Sequence, residues 1–328
     1  MIEKGVLFFK PPFKQLERVS EKGDEDGNHV NIFCPTPLTL PQTRLFTSPW
    51  LLVSVLHMYF NDDISGKSAF ALVPTEYDLG RPTYPIDLYR DATYTMRAAF
   101  AHSPKLDSVL EIGSGTGQAT GELARLSSRL DCIEPGKSFA DVLRSRFASC
   151  EGVAVHETEF ERFQTRCRYN LVASASAIHW IPKEFFYSRI HSLLTPDGWL
   201  LGIWHQPRFQ NAVYDIIQEI LVPRFPDFRI PRFDLEEREL FDNGFEEFSS
   251  RRGFRNCWKK TYSPSRVLLP TVATALIWSY VNIGGVDEGE SNDLQDALHR
   301  KISSLAIADL SVIDNFLVAM GQSAYKND

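Results

Sequence analysis

The chain has no apolar run long enough to cross a bilayer. The longest one near the N-terminus, residues 50–60, is broken by Ser54 and His57 and falls well short of the roughly 20 residues a spanning helix needs. Residues 1–9 lack the basic start and small-residue cleavage site of a secretory signal. Cysteine is sparse as well. Cys34, Cys132, Cys150, Cys167 and Cys257 show no C-x-x-C spacing, and an odd, scattered set fits neither a disulfide framework nor a structural zinc site. Positive charge is in deficit, with 35 Lys and Arg against 42 Asp and Glu and a net charge of -7. That balance speaks against a broad nucleic-acid-binding surface. The expectation is a cytoplasmic protein, monomer or homodimer, with a small-molecule substrate and with no metal, no nucleic acid and no membrane partner.

What the chain does have is three glycines at alternate positions directly after a short apolar strand. Residues 109–112 form the strand, Gly113, Gly115 and Gly117 follow, and a helical pattern (Thr120, Leu123, Ala124) takes over. Without a Cβ the backbone turns sharply and a ligand lies against it. The dinucleotide fingerprint needs glycine at position 118, where this chain has Gln118. A second strand, residues 130–133, ends in Glu134 and Pro135, about 20 residues beyond the first glycine, where nucleoside-binding α/β folds meet a ribose diol. Glu134 is the expected ribose ligand.

The spacing E-x-G-x-G-x-G from Glu111 to Gly117 resembles motif I of the class I methyltransferases that use S-adenosylmethionine. Two further stretches extend the resemblance. Tyr77, Arg81, Pro82, Tyr84 and Pro85 match a Y-x-x-x-R-P-x-Y-P segment of small-molecule methyltransferases. Residues 175–180, A-S-A-I-H-W, resemble motif IV of the branch that includes trans-aconitate methyltransferases. A Thr-Pro-Asp-Gly turn at 195–198 precedes a fifth strand at 199–204, as it does in the family. The match covers residues 77 to about 205.

The resemblance implies a Rossmann-like, seven-stranded, mostly parallel α/β sheet with helices on both faces, an antiparallel last strand and a helical cap. Residues 1–70 are expected to be an N-terminal extension. Residues 71–328 are expected to form the methyltransferase domain, with a helical insertion at about 263–308. The cofactor implied is S-adenosylmethionine, leaving as S-adenosylhomocysteine. Its expected contacts are Tyr77, Arg81, Glu111, Gly113, Ser114, Gly115, Gly117, Gln118, Glu134, Pro135, Ser174 and Ala175. Arg81 is expected to meet the cofactor carboxylate as a fork-shaped donor. The family often has Asp where this chain has Thr158, so the adenine contact is left among backbone amides, Thr158 and Glu159, with Phe160 over the ring or in the core.

For the acceptor side, His179 is the candidate catalytic base, and Tyr84, His179, Trp180, Trp204 and Trp278, with Tyr280, are candidate pocket walls. The activity implied is in-line methyl transfer to a small molecule. Two rival readings are a cofactor-binding regulator or scaffold without catalysis and a nicotinamide-dependent oxidoreductase. Further along, the sequence predicts a short helix over residues 236–243 closed by Gly244, a basic sixth strand within 245–262, apolar helices at 267–283 and 294–307, and a last strand at 315–320.

Overall fold

A computed structural model describes residues 73–100, 103–226, 228, 230–281 and 286–325. The expected extension over residues 1–70 lies outside the described residues. In chain order the elements are α1 (Pro74–Gly80), α2 (Ile86–Thr95), β1 (Val109–Ile112), α3 (Thr120–Leu126), β2 (Leu130–Ile133), α4 (Lys137–Arg146), β3 (Val153–His156), β4 (Tyr169–Ala175) and α5 (Lys183–Leu193). There follow β5 (Leu194–Phe209), α6 (Asn211–Ile220), α7 (Leu235–Arg251), β6 (Phe254–Tyr262), β7 (Ser265–Val267), α8 (Pro270–Trp278), α9 (Glu288–Ser303) and β8 (Ser311–Ser323).

The sheet order is β3-β2-β1-β4-β5-β8-β6, with the short β7 also paired to β8. Strands β1 to β5 are parallel, and β8 inserts antiparallel between β5 and β6. Among the described residues the expected mostly parallel sheet has eight strands, one more than the seven expected. The additional strand is β7, three residues long, which extends the pairing of β8 beyond the end of β6.

Alternation along β1 explains why helices lie on both faces. Val109 joins a buried cluster with Leu88 of α2, Leu123 of α3 and Leu143 of α4. Leu110 and Ile112 point the other way, into a cluster with Phe186 and Ile190 of α5 and Phe241 and Phe248 of α7. Each such buried side chain contributes roughly 1.5–3 kcal/mol. A third cluster, with Val213 and Ile217 of α6, Leu276 and Trp278 of α8 and Leu298 and Ile302 of α9, forms the helical cap.

Several expected boundaries move, each for a physical reason. Residues 74–80 are helical, and from Arg81, which precedes Pro82, the chain runs extended (φ −71°, ψ 129°). The helix expected over 86–102 ends at Thr95 and gives way to a tighter turn at Arg97–Phe100. Gly244 does not close a helix; α7 runs through it, since Phe241 and Phe248 lie on either side of it and both bury into the core. Tertiary packing overrides the glycine's poor propensity. The expected turn at 195–198 is a bulge inside β5, with Asp197 at φ 64° and the register shifting between Tyr169 and Leu171 of β4. Beyond Trp204, β5 continues to Phe209 because β8 pairs with it from Trp199 through Phe209. That extension places His205 and Gln206 beside the site.

Candidate functional site

At the carboxyl ends of β1, β2 and β4, where open α/β sheets take their ligands, lies a cavity of about 810 Å³. The glycine loop forms one wall. Gly113, Gly115 and Gly117 all have positive φ (70°, 57° and 101°), a region that side-chain-bearing residues avoid. They differ in what surrounds them. A Cβ on Gly113 would sit 2.2 Å from the Cβ of Ala177, and one on Gly117 would meet Phe147 and Leu143 of the α4 region at 2.8 and 2.9 Å. A Cβ on Gly115 would make only ordinary contacts, with Tyr77 nearest at 3.6 Å. Gly115 therefore presents bare backbone to the cavity, and Gly117 shapes the loop from behind.

Glu134 closes the loop. One carboxylate oxygen accepts from the Gly115 N–H at 2.9 Å, the other from Gly136 N–H at 2.8 Å. Burial raises its pKa, and those two backbone donors oppose the rise. Glu111, expected beside the cofactor, lies off the cavity wall. It is fully buried and accepts a 2.6 Å hydrogen bond from Thr120 at the start of α3, with the Cys132 thiol at 3.6 Å. Burial pushes it up to about 7, against hydrogen bonds from neighbouring groups. Glu111 ties strand, loop and helix together from below.

Of the other expected cofactor residues, Tyr77, Arg81, Pro135, Glu159, Phe160 and Ala175 line the cavity, and Ser114, Gln118, Thr158 and Ser174 do not. Gln118 turns away to donate to Thr116 (2.7 Å), and Ser174 donates to the carbonyl of Ile112 at 2.9 Å, stitching β4 to β1. Thr158 donates weakly to the carbonyl of Glu159 at 3.4 Å. Ser114 is buried. Arg81 donates to Ser279 through Nε at 2.8 Å and Nη2 at 3.2 Å and stacks 3.6 Å over the ring of Tyr280. Among the described residues it has no carboxylate partner.

On the acceptor side, His179, Trp180 and Trp204 line the cavity as expected, and so does Tyr280. Trp278 does not; it is 1% exposed and packs in the cap cluster. Tyr84 is also off the wall, edge-on to Phe316. The Nδ1 of His179 is buried with no hydrogen-bond partner among the described residues. Burial first, and the Arg81 charge second, lower its pKa to about 3. A neutral imidazole with so little basicity accepts a hydrogen bond at neutral pH and does not take up a proton, which is a poor fit to the base role expected of it.

Sequence reasoning missed two contributions. The segment between α6 and α7 brings Arg224, Phe225, Phe228, Ile230 and Arg232 to the cavity. Its prolines at 226 and 231 mark a loop but not its direction. His205 and Gln206 also line the cavity. His205 Nε2 lies 2.7 Å from Asp314 Oδ1 across the β5–β8 ladder. The signal for it in the sequence is a histidine directly after Trp204, beyond the end of the predicted fifth strand.

Comparison with known proteins finds similarity to methyltransferases. A family model described as a methyltransferase domain matches residues 110–200, from β1 into β5. A Dictyostelium discoideum protein that carries a methyltransferase name is 23% identical over 201 residues, covering 59% of this chain and 69% of that protein. A Saccharomyces cerevisiae protein, CRG1, named as a probable S-adenosylmethionine-dependent methyltransferase, is 25% identical over 151 residues, covering 40% and 46%. Among solved structures, a Geobacter sulfurreducens S-adenosylmethionine-dependent methyltransferase with S-adenosyl-L-homocysteine bound aligns with a TM-score of 0.45 at 14% identity, over 77% of this chain and 97% of that one. A Haemonchus contortus phosphoethanolamine N-methyltransferase aligns with a TM-score of 0.46 at 13% identity, over 81% and 62%. The matched domain, which holds the E-x-G-x-G-x-G loop and the parallel strands beside it, makes residues 110–200 a methyltransferase domain, and the activity it supports is S-adenosylmethionine-dependent methyl transfer.

Proposed function

We propose that the chain methylates a small-molecule acceptor, with cofactor and acceptor side by side in the one cavity. The observation that carries this reading is the extent of that cavity. It reaches from Gly115 and Glu134 at one end to His179, Trp204 and His205 at the other, and its volume of about 810 Å³ lies within the roughly 300–1,000 Å³ of small-ligand sites.

The residues present fit S-adenosylmethionine. Gly115 offers bare backbone, Glu134 offers carboxylate oxygens for a diol, and Arg81 carries a guanidinium without a carboxylate partner among the described residues. Glu159 and Phe160 line the same cavity and are the residues on offer for an aromatic base. When bound, this cofactor supplies an electrophilic methyl on a sulfonium sulfur.

The protein's own contribution is alignment and exclusion of water. Trp180, Trp204, Phe228 and Ile230 give the acceptor half an apolar lining, and His179 offers a buried Nδ1 that has no hydrogen-bond partner among the described residues. Its role is to orient the acceptor by a hydrogen bond.

The test is transfer of isotope-labelled methyl from S-adenosylmethionine into a metabolite extract, read by mass spectrometry. Label in a small molecule supports the reading. Binding of S-adenosylhomocysteine with no labelled product would favour the regulator or scaffold instead, and binding of NADH without S-adenosylhomocysteine would favour the oxidoreductase.

A further inference from the structure

Opposite the glycine loop, a chain of three polar side chains runs from the sheet into the cavity. Asp314 sits on β8 and is 1% exposed. Its Oδ1 meets Nε2 of His205 on β5 at 2.7 Å, and its Oδ2 accepts from Nε of Arg266 on β7. With the Nε2 proton directed to a carboxylate, Nδ1 is left as the acceptor nitrogen of the ring, an assignment made from the network. Nδ1 faces the hydroxyl of Tyr280, after α8, at 3.5 Å, and the same hydroxyl lies 3.4 Å from the His205 carbonyl. Both His205 and Tyr280 line the cavity.

The imidazole is held in place on three sides. It stacks on Phe316 with ring centres 5.0 Å apart and planes 27° apart, its own backbone N–H donates to Ser176 at 3.1 Å, and Asp314 fixes its far edge. The carboxylate stays charged. Burial works to raise the Asp314 pKa, but the bonds from His205 and Arg266 win and hold it below the usual carboxylate range. A histidine needed only for packing has no use for a buried anion behind it, whose effect is to stabilise the imidazolium. Burial lowers the His205 pKa, and the Asp314 bond and charge oppose that fall, so the ring rests neutral and the carboxylate counts only when a proton arrives; the charged and titratable groups facing it are Asp314, Arg266, Arg81 and the Tyr280 hydroxyl.

We infer that Asp314, His205 and Tyr280 form a proton-accepting relay for the acceptor, and hence that the atom methylated is a hydroxyl oxygen or an amine nitrogen that carries a proton. This rests on the proposed small-molecule methyl transfer. As the acceptor atom bonds to the methyl carbon, the methyl–sulfur bond breaks and its electron pair stays on sulfur, which loses its positive charge. The acceptor's proton passes to the Tyr280 oxygen as Tyr280's own proton passes to Nδ1 of His205, and the imidazolium is balanced by Asp314. An acceptor that is already a carboxylate or a thioether has no proton to give and makes no use of the relay.

The experiment has three readouts. First, the labelled product formed by the wild type from a metabolite extract is identified: an O-methyl ether or N-methyl product agrees, and a methyl ester or sulfonium product overturns the inference while leaving methyl transfer standing. No labelled product at all would overturn both. Second, His205→Gln, which keeps a donor for Asp314 but has no basic nitrogen, is expected to lower kcat by roughly 10²-fold or more, with S-adenosylhomocysteine affinity by calorimetry within about twofold of wild type. Asp314→Asn, the positioning residue, is expected to lower kcat and shift its pH profile; unchanged kcat in both variants would overturn the inference. Third, nitrogen NMR of the wild type in the absence of cofactor reads the ring directly. The His205 imidazole is expected as the Nε2–H form, and the Nδ1–H form would overturn the relay without any variant having to fold.

Discussion

At the scale of single residues, the two histidines on the cavity wall differ in what stands behind them. His179 has a bare Nδ1 and a pKa lowered to about 3, whereas His205 is backed by a carboxylate 2.7 Å away. We therefore predict that His179→Asn raises KM and leaves kcat within about tenfold of wild type, the reverse of the pattern at His205. Steady-state kinetics on the purified variants separates the two. Glu111 gives a pH prediction. Its carboxyl is pushed up to about 7 in the folded chain from an ordinary value of 4.5, so between those limits the folded state holds a proton that the unfolded state releases. Stability from this group is then highest below about pH 4.5 and falls as pH rises to about 7, by roughly 3 kcal/mol. Glu111→Gln is expected to remove that part of the slope, measured as the difference between wild-type and variant denaturant midpoints across pH 5 to 8. An equal slope in both would count against it.

Among elements, the glycine loop and the acid after β2 were legible in the sequence because both are local. A strand, a sharp turn and a carboxylate need only the residues that build them, and Gly113, Gly115 and Glu134 indeed share one wall. The roof was not legible. His205 and Asp314 are 109 residues apart in sequence, and their meeting depends on β8 pairing with the far end of β5, which no local pattern announces. Trp278 shows the converse error. An apolar helix near a pocket was expected to lend it a tryptophan, but α8 turns that side chain into the cap core and offers Tyr280 from just beyond its end. The docking of α1 on α8 is equally hidden in sequence. A Cβ at Gly80 would lie 2.3 Å from the backbone nitrogen of Leu276 and 2.5 Å from its Cα, so only glycine permits this approach. Gly80→Ala is expected to destabilise the fold by about 1–3 kcal/mol and, since Arg81 follows directly, to weaken cofactor binding as well. Thermal melting and calorimetry would check both; a variant as stable as wild type would contradict the packing.

On the scale of the whole molecule, the parallel sheet and the matched domain set one half of the site, and the cap, the segment between α6 and α7 and the extended β5–β8 ladder set the other. No helix among the described residues is long and apolar enough to cross a membrane, and no group of three or more His, Cys, Asp or Glu among them is arranged to hold a metal ion. The central claim is that the two halves of one cavity divide the work, with the glycine-loop end binding cofactor and the His205 end serving the acceptor. Calorimetric titration with S-adenosylhomocysteine tests it most directly, using Gly115→Val at one end and His205→Gln at the other. The account predicts binding to wild type, at least tenfold weaker binding to Gly115→Val, where a branched side chain would fill the cavity face of the loop at a positive φ, and an affinity within about twofold of wild type for His205→Gln. Equal affinity for wild type and Gly115→Val would contradict it.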